Sequence, residues 1–246
     1  MKELVLPHER VDDLERNGLR IIQNPMAFRF GMDAVLLADF TQVRPREQVA
    51  DMGTGTGILP ILLSQKQATA KFHAFEIQRD MADMASRSMR FNGLQERIQV
   101  HGMDMREAHH ILGHGKTDAV VCNPPYGKKG GALVNPAESL MLARHEADTE
   151  IGDIIEVSAA LLRNGGRLTM VFPTTRMLEL CDILRQKRME PKRIRMVCAK
   201  VNRAPYLVLV EAMKNARPYL KWMPPLVVYE EDGQETAELR RIYHKG

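Results

Sequence analysis

The amino-acid sequence predicts an α/β fold: a doubly wound, mostly parallel sheet of seven strands with helices on both faces. Three observations support this prediction. Short apolar runs alternate with longer amphipathic runs, a glycine-rich turn follows one of the first apolar runs, and only a short turn separates the last two. Alternation of strand and helix patterns is typical of βαβ units, and the closely spaced final pair indicates an antiparallel hairpin.

The first half of the sheet begins with the apolar run 48–52, which enters the glycine-rich turn and precedes an apolar helix over 58–65. Residues 71–77 alternate between apolar and polar side chains, as expected for a strand. The amphipathic run 78–92 predicts a helix that ends at Asn92-Gly93, because both residue types tolerate the left-handed conformation found at helix ends.

The remaining elements alternate in the same way. In chain order they are a strand at 97–101, a strand at 118–122, a helix over 151–163, a strand at 167–172 and a helix over 175–187. The helix over 151–163 is stopped by Asn164-Gly165-Gly166. Strands at 194–200 and 206–213 then form the hairpin, a feature that a plain dinucleotide-binding sheet would lack.

The length of 246 residues suits one α/β domain with a full core. We expect a single domain over 1–246, in which the core covers 46–213. The segment 1–45 is expected to be an N-terminal extension and the segment 214–246 a C-terminal tail, both packed on that core.

Composition argues against several classes of protein. The sequence contains no run of about 18 apolar residues that could span a membrane. Its first residues lack the apolar segment of a secretory signal. The cysteines Cys122, Cys181 and Cys198 form no C-x-x-C pair, which argues against a zinc cluster and against a disulfide framework. We therefore expect a cytoplasmic protein that uses no metal.

The glycine-rich turn has the sequence Asp51-Met-Gly-Thr-Gly-Thr-Gly57. Glycines at Gly53, Gly55 and Gly57 allow a tight bend and a close approach of the backbone to a ligand. The spacing differs from G-x-G-x-x-G, and no Lys-Ser/Thr pair follows, so neither a dinucleotide fingerprint nor a phosphate loop is indicated. The turn suits the methionyl part of S-adenosylmethionine, with Asp51 placed for its ammonium group.

Two further acids follow the next strands. Glu76 lies at the end of the second strand, where a carboxylate can accept hydrogen bonds from both ribose hydroxyls. Asp104 follows the third strand and could accept from the adenine amino group. The alternative is a plain tight turn with unrelated surface acids, which the regular spacing of the set disfavours.

The fourth strand ends in Asn123-Pro-Pro-Tyr126. An amino group on an aromatic ring is a poor nucleophile because its lone pair is delocalised. The side-chain carbonyl of Asn123 and the backbone carbonyl of Pro124 could accept hydrogen bonds from its two N–H groups and so free that lone pair. Tyr126 could stack on the flat target group. The alternative is a rigid strand exit with an incidental tyrosine.

The glycine turn together with Asn123-Pro-Pro-Tyr126 resembles the amino-group methyltransferases with an N-P-P-Y motif, which act on DNA adenine, RNA adenine or a release-factor glutamine. Segments 28–38, 143–146 and 220–226 resemble the bacterial family that methylates adenine N6 at position 37 of a valine tRNA. The resemblance implies a Rossmann-like class I methyltransferase fold. It also implies that Phe30 and Asp33 close over the cofactor, although Asp33 could instead be a helix N-cap.

An RNA substrate would need cationic contacts to its phosphates. Lys128 and Lys129 lie on a glycine-flanked loop after the motif. Farther along the chain, the run 185–203 contains eight Lys or Arg residues and a single acidic residue. The candidates for RNA binding within that basic run are Arg193, Arg195, Lys200 and Arg203. The alternative is a solvated helix end followed by a polar edge strand.

The leading functional hypothesis is therefore an S-adenosylmethionine-dependent enzyme that methylates adenine N6 in tRNA. Methylation of ribosomal RNA or of a protein glutamine would use the same N-P-P-Y chemistry. Two hypotheses of a different kind stay open: an RNA-binding protein with an inactive cofactor site, and a small-molecule amine methyltransferase.

Overall fold

The computed structural model of the chain describes residues 4–25, 31–124 and 151–243. Within them the strands are β1 (Arg10–Asp13), β2 (Arg20–Gln23), β3 (Gln48–Met52), β4 (Lys71–Phe75), β5 (Ile98–His101), β6 (Thr117–Cys122), β7 (Leu162–Pro173), β8 (Met189–Cys198), β9 (Pro205–Lys214), β10 (Lys221–Trp222) and β11 (Leu226–Val227). The helices are α1 (Met32–Phe40), α2 (Ile58–Ser64), α3 (Arg79–Phe91), α4 (His109–Leu112), α5 (Ile151–Leu161), α6 (Met177–Gln186) and α7 (Ala237–Ile242).

The seven predicted strands all form and lie in the order β8-β9-β7-β6-β3-β4-β5. β9 is antiparallel to both of its neighbours, whereas the other pairs along this order are parallel. This confirms the doubly wound sheet with a C-terminal hairpin. The short strands β10 and β11, which the pattern did not predict, pair in parallel with β8 and extend the sheet to nine strands.

Each face of the sheet has its own apolar core, because successive side chains of a strand point to opposite faces. On β3, Val49 belongs to one buried cluster and the next residue, Ala50, to the other. The first cluster includes buried side chains of α1 and α2, and the second includes those of α5 and α6. Helices on both faces are what keep a parallel sheet out of water.

The boundary between α5 and β7 differs from the prediction. α5 ends at Leu161, and β7 already begins at Leu162, ahead of the glycines that were expected to stop the helix. The last helical carbonyls accept hydrogen bonds from the two residues that precede β6: Gly115 N–H donates to the Ala160 carbonyl and Lys116 N–H to the Leu161 carbonyl. Leu162 is fully buried beside that strand, so tertiary pairing ends the helix early.

The N-terminal segment contains a hairpin that the sequence pattern did not reveal. β1 and β2 pair antiparallel, and β2 packs on α3, where Ile22 N–H donates to Ser88 Oγ at 3.0 Å. Nearby, the Arg87 side chain donates to both carboxylate oxygens of Glu9, which lowers the pKa of that carboxyl. Neither strand of this hairpin alternates between buried and exposed side chains, so its sequence lacks the period of two that indicates a strand.

The C-terminal tail also packs on the core. Thr236 Oγ1 caps α7 by accepting from Leu239 N–H, and Leu239 and Ile242 are buried in the same cluster as α1 and α2. Both end segments thus contact the core, and their assignment as extensions of one domain stays a prediction. Within the residues that the structure describes, no helix has the length and apolar character needed to cross a membrane.

Candidate cofactor and amine site

The candidate site lies at the carboxyl edge of the parallel strands. Met52 at the end of β3 is the direct partner of Phe75 on β4 and of Cys122 on β6, so the residues that follow these three leave the sheet side by side. On one side of β3 the sheet continues with β4 and then β5, whereas β6 pairs with the opposite side of β3. Such a switch point leaves a crevice at the carboxyl ends of the strands, where ligands bind in open α/β sheets.

The glycine turn adopts the backbone that its sequence predicted. Gly53, Gly55 and Gly57 have φ angles of 71°, 57° and 89°, a region that residues with a Cβ rarely adopt. The N–H groups of Gly53 and Thr54 donate to the Phe75 carbonyl at 3.0 and 2.9 Å, which fastens the turn to the end of β4. The turn leads directly into α2.

Glu76 is connected to the glycine turn. Its side chain is buried, and its two carboxylate oxygens accept from Gly55 N–H and from Gln78 N–H, each at 2.9 Å. A carboxylate oxygen can accept more than one hydrogen bond, so the arrangement is compatible with the predicted ribose contact. Sequence reasoning missed the additional role, because nothing in a one-dimensional pattern shows which N–H a carboxylate faces.

Asp51 is fully buried, and neither of its carboxylate oxygens has a hydrogen-bond partner among the described residues. Burial raises the pKa of Asp51 to about 7, with a further contribution from the charge of Glu76 and against the opposing effect of the Thr54 hydroxyl. A buried carboxyl is stabilised as an anion when a cation approaches it. This environment is compatible with an ammonium group, and the predicted contact of Asp51 with S-adenosylmethionine stays a prediction.

Asp104 follows β5 and is half-buried. Its carboxylate accepts from the backbone and side chain of Arg106, which lower the pKa of the carboxyl. It also caps the short 3-10 turn Met105–Glu107. An adenine amino group would therefore meet a carboxylate that already has an arginine partner, and the predicted contact stays a prediction.

Asn123 emerges from β6 and meets a residue that is distant in sequence. Its side-chain Nδ2 donates to Asp33 Oδ2 at 3.0 Å, across 90 positions of the chain. Asp33 lies in the first turn of α1, whose N-cap is Gly31, so the N-cap alternative for Asp33 is wrong. Pro124, the second proposed acceptor, is buried beside Asn123. Phe30, Tyr126, Lys128 and Lys129 lie outside the described residues.

The basic run between 185 and 203 does not form one surface. Arg185, Lys187 and Arg188 precede β8 and lie at the opposite edge of the sheet from Asn123. Lys200 and Arg203 lie in the turn between β8 and β9, at the same edge as the end of β7. Arg203 is exposed, and Lys200 Nζ donates to the Glu231 carbonyl at 2.9 Å.

Arg193 and Arg195 require a correction, because both are engaged inside the fold. Arg193 donates to the Phe40 carbonyl at 2.8 Å and to Glu211, and its guanidinium lies 4.3 Å from the centre of the Phe40 ring. Arg195 is 8% exposed and donates to both carboxylate oxygens of Glu238. Their roles are structural: Arg193 caps the end of α1, and Arg195 connects β8 to α7.

Three tyrosines near Asp33 were not found from the sequence. Burial raises the pKa of Tyr243 to about 12, and the charges of Glu235 and Asp33 add to this. Burial also raises the pKa of Tyr206, with contributions from Tyr229 and Asp33. These side chains come from β9, the segment after β11 and the end of α7, so only the fold brings them together.

The described part of the chain contains one group of side chains with the spacing of metal ligands. One ligand atom from each of Glu107, His109 and His110 lies within 4.8 Å of the others, near the surface helix α4. The expectation that the protein uses no metal stays a prediction.

The chain is similar to known methyltransferases. A model of the methyltransferase small domain matches residues 30–190. A protein from Tolumonas auensis named tRNA1(Val) (adenine(37)-N6)-methyltransferase is 32% identical over 221 residues, which cover 89% of this chain and 89% of that protein. A protein of the same name from Parabacteroides distasonis is 30% identical over 195 residues, 79% of this chain and 80% of its own.

The fold resembles a crystal structure of a predicted O-methyltransferase from Agrobacterium tumefaciens, with a TM-score of 0.70, 22% identity and coverage of 87% of this chain and 96% of that one. The family model spans more than half of the sequence, and its range includes the glycine turn, Glu76, Asp104 and Asn123. The chain therefore belongs to the methyltransferase small domain family and is an S-adenosylmethionine-dependent methyltransferase.

Proposed function

We propose that this protein methylates the exocyclic N6 of an adenine in tRNA, at position 37 of the anticodon loop. The observation that carries the proposal is the Asn123 side chain, held by Asp33 at the carboxyl end of β6, the strand next to the one that leads into the glycine turn. The curated relatives from Tolumonas auensis and Parabacteroides distasonis, which match most of the chain, are named for this substrate.

The chemistry required of the protein is activation of a weak nucleophile. S-adenosylmethionine, when bound, supplies an electrophilic methyl group. The Asn123 side-chain carbonyl and the Pro124 backbone carbonyl each accept a hydrogen bond from one of the two N–H groups of the adenine amine. This draws the nitrogen toward a pyramidal geometry and makes its lone pair available. Proline has a restricted φ and no N–H, so the Pro124 carbonyl is held in a narrow range of orientations.

The cofactor contacts proposed for this reaction come from the neighbouring strand ends. Asp51 receives the ammonium group, Glu76 the ribose hydroxyls and Asp104 the adenine amino group. Gly53, Gly55 and Gly57 keep the turn free of side chains where the cofactor approaches the backbone. Phe30 is proposed to close over the cofactor, and Tyr126 to stack on the target base, as the family resemblance implies.

The RNA surface is proposed to include Lys128 and Lys129 after the motif, together with Lys200 and Arg203 of the turn between β8 and β9. This turn lies at the same edge of the sheet as Asn123. A base in an anticodon loop is already partly unstacked, so presenting it to a pocket costs little free energy. Phosphate contacts position the loop, and the pocket selects the base.

The test is methyl transfer from labelled S-adenosylmethionine to bacterial valine tRNA, followed by nucleoside mass spectrometry. We expect N6-methyladenosine with wild-type protein, none with a transcript that carries guanosine at position 37, and almost none with Asn123→Ala. Binding of the cofactor to Asn123→Ala should persist. Transfer to ribosomal RNA or to a protein glutamine, with none to tRNA, would overturn the proposed substrate.

A further inference from the structure

We propose that Asp33 is a positioning residue: it holds the Asn123 side-chain amide in the one orientation that presents its carbonyl oxygen to the target amine. The inference rests on the proposed function of Asn123 and differs from the cofactor contact that the family resemblance implies for Asp33. The structural basis is the hydrogen bond from Asn123 Nδ2 to Asp33 Oδ2 at 3.0 Å.

The chemistry of the two groups determines which end of the amide faces Asp33. An ionised carboxylate only accepts hydrogen bonds, whereas an amide has one donor end and one acceptor end. The donor end of Asn123 must therefore face Asp33, and the carbonyl end must point elsewhere. Rotation of the amide by half a turn would place the carbonyl oxygen against the carboxylate, which is electrostatically unfavourable. A charge-assisted hydrogen bond thus selects the orientation that amine activation needs.

Asp33 is itself well held. It belongs to the first turn of α1, and its Oδ1 accepts from Ala34 N–H at 2.9 Å, so one oxygen is anchored locally while the other receives Asn123. The following residues Leu36 and Leu37 are no more than 1% exposed. α1 is packed into the core and Asn123 directly follows the central strand β6, so the backbones of both partners are positioned by elements of the core.

Gly31 provides a second, independent way to test this arrangement. A Cβ added at Gly31 would lie 2.6 Å from Asp33 Oδ1, much closer than real Cβ atoms approach an oxygen. The backbone of Gly31 has φ −96° and ψ 179°, extended values that alanine adopts without strain. Gly31→Ala should therefore displace the Asp33 carboxylate while leaving the charge and the fold in place.

Steady-state kinetics with tRNA give the first test. Asp33→Ala should lower kcat by about 100-fold, the cost of a poorly positioned catalytic group, with little change in the KM of S-adenosylmethionine. Gly31→Ala should also lower kcat. Asp33→Asn keeps an acceptor for the Asn123 amide and should recover part of the loss. Asp39→Ala, at the other end of the same helix, is the matched control and should retain normal activity.

A double-mutant comparison separates positioning from direct binding. If Asp33 acts only through Asn123, the variant with both Asp33→Ala and Asn123→Ala should be no slower than Asn123→Ala alone. Losses that multiply would overturn the proposal. So would an Asp33→Ala protein that keeps its kcat but binds S-adenosylmethionine weakly in equilibrium dialysis, since that result assigns Asp33 to the cofactor.

A readout that needs no substrate distinguishes failure of this inference from failure of the proposed function. Crystal structures of the wild type, Asp33→Ala and Gly31→Ala should show the Asn123 side chain in one conformation in the wild type and in a changed or mixed conformation in both variants. An unchanged Asn123 conformation in both variants would overturn the positioning role. Absence of methyl transfer to tRNA by the wild type would overturn the substrate proposal alone.

Discussion

Glu76 accepts a hydrogen bond from the backbone N–H of Gly55 at 2.9 Å, so the end of β4 and the glycine turn after β3 form one unit. The same carboxylate accepts from Gln78 N–H at the start of α3. A side chain proposed to bind ribose thus also organises the loop that approaches the methionyl group. Loss of this carboxylate should therefore disturb two parts of the cofactor site at once.

Glu76→Ala should weaken S-adenosylmethionine binding by about 10- to 100-fold, since hydrogen bonds to a charged group contribute roughly 1.5–3 kcal/mol. Isothermal titration calorimetry measures the change in Kd. Glu76→Gln, which keeps one acceptor, should fall between Glu76→Ala and the wild type. Glu96→Ala, an exposed acid on the loop before β5, is the control. Wild-type affinity in Glu76→Ala would contradict the role assigned to this carboxylate.

The stability of the cofactor-free protein should depend on the charge of Asp51. Burial raises the pKa of this carboxyl from 3.8 to about 7, so the folded protein binds the proton more tightly than the unfolded chain. The stabilisation from this proton is fully present below the unfolded pKa of 3.8 and is lost as the pH rises through about 7. The loss is on the order of a few kcal/mol.

Asp51→Asn removes that dependence and should raise the Tm of the cofactor-free protein above pH 7, with little effect near pH 4. It should also weaken S-adenosylmethionine binding, because the ammonium group loses its counter-charge. Thermal unfolding across this pH range measures the first effect and calorimetry the second. Asp80→Asn, a change at an exposed carboxyl, serves as the control. Parallel stability curves for Asp51→Asn and the wild type would contradict the prediction.

Two glycines of the cofactor turn should differ in their tolerance of alanine. Both have positive φ, so either substitution incurs backbone strain of about 1–3 kcal/mol. A Cβ at Gly57 would also lie 2.4 Å from Met89 Cε, whereas a Cβ at Gly53 meets nothing within 4 Å. Met89 is 1% exposed and has little room to move. In urea unfolding without cofactor, Gly57→Ala should therefore destabilise more than Gly53→Ala, and the reverse order would be inconsistent with this packing.

The two cations of the β8–β9 turn should contribute to RNA affinity. The double variant Lys200→Ala and Arg203→Ala should bind valine tRNA more weakly. The slope of the logarithm of the binding constant against the logarithm of the salt concentration should become shallower, by roughly one unit for each lost phosphate contact. Its cofactor affinity should be unchanged. The matched control removes Lys71 and Lys116, exposed residues at the amino ends of β4 and β6. Equal losses in both double variants would mean that the charge acts without regard to its location.

The sequence by itself determined the strands of the core, the backbone of the glycine turn and the position of Asn123 at the end of β6. Apolar periodicity reports which side chains face a core, and it predicted all seven strands in the order β8-β9-β7-β6-β3-β4-β5. Gly53, Gly55 and Gly57 were informative for a similar reason, since each has the positive φ that favours glycine. The direction in which a side chain points and the sign of φ are properties of the local backbone, so both can be predicted from the local sequence.

Tertiary structure alone decided which distant side chains meet. The contact between Asp33 and Asn123 spans 90 positions, and the pairing of Arg195 with Glu238 spans 43. Before folding, Arg195 is indistinguishable from Lys200: both are cations in one basic run, although one is buried against an acid and the other lies near the proposed RNA surface. A charge pattern records which groups are present, whereas their partners depend on the packing of strands and helices that are far apart in the chain.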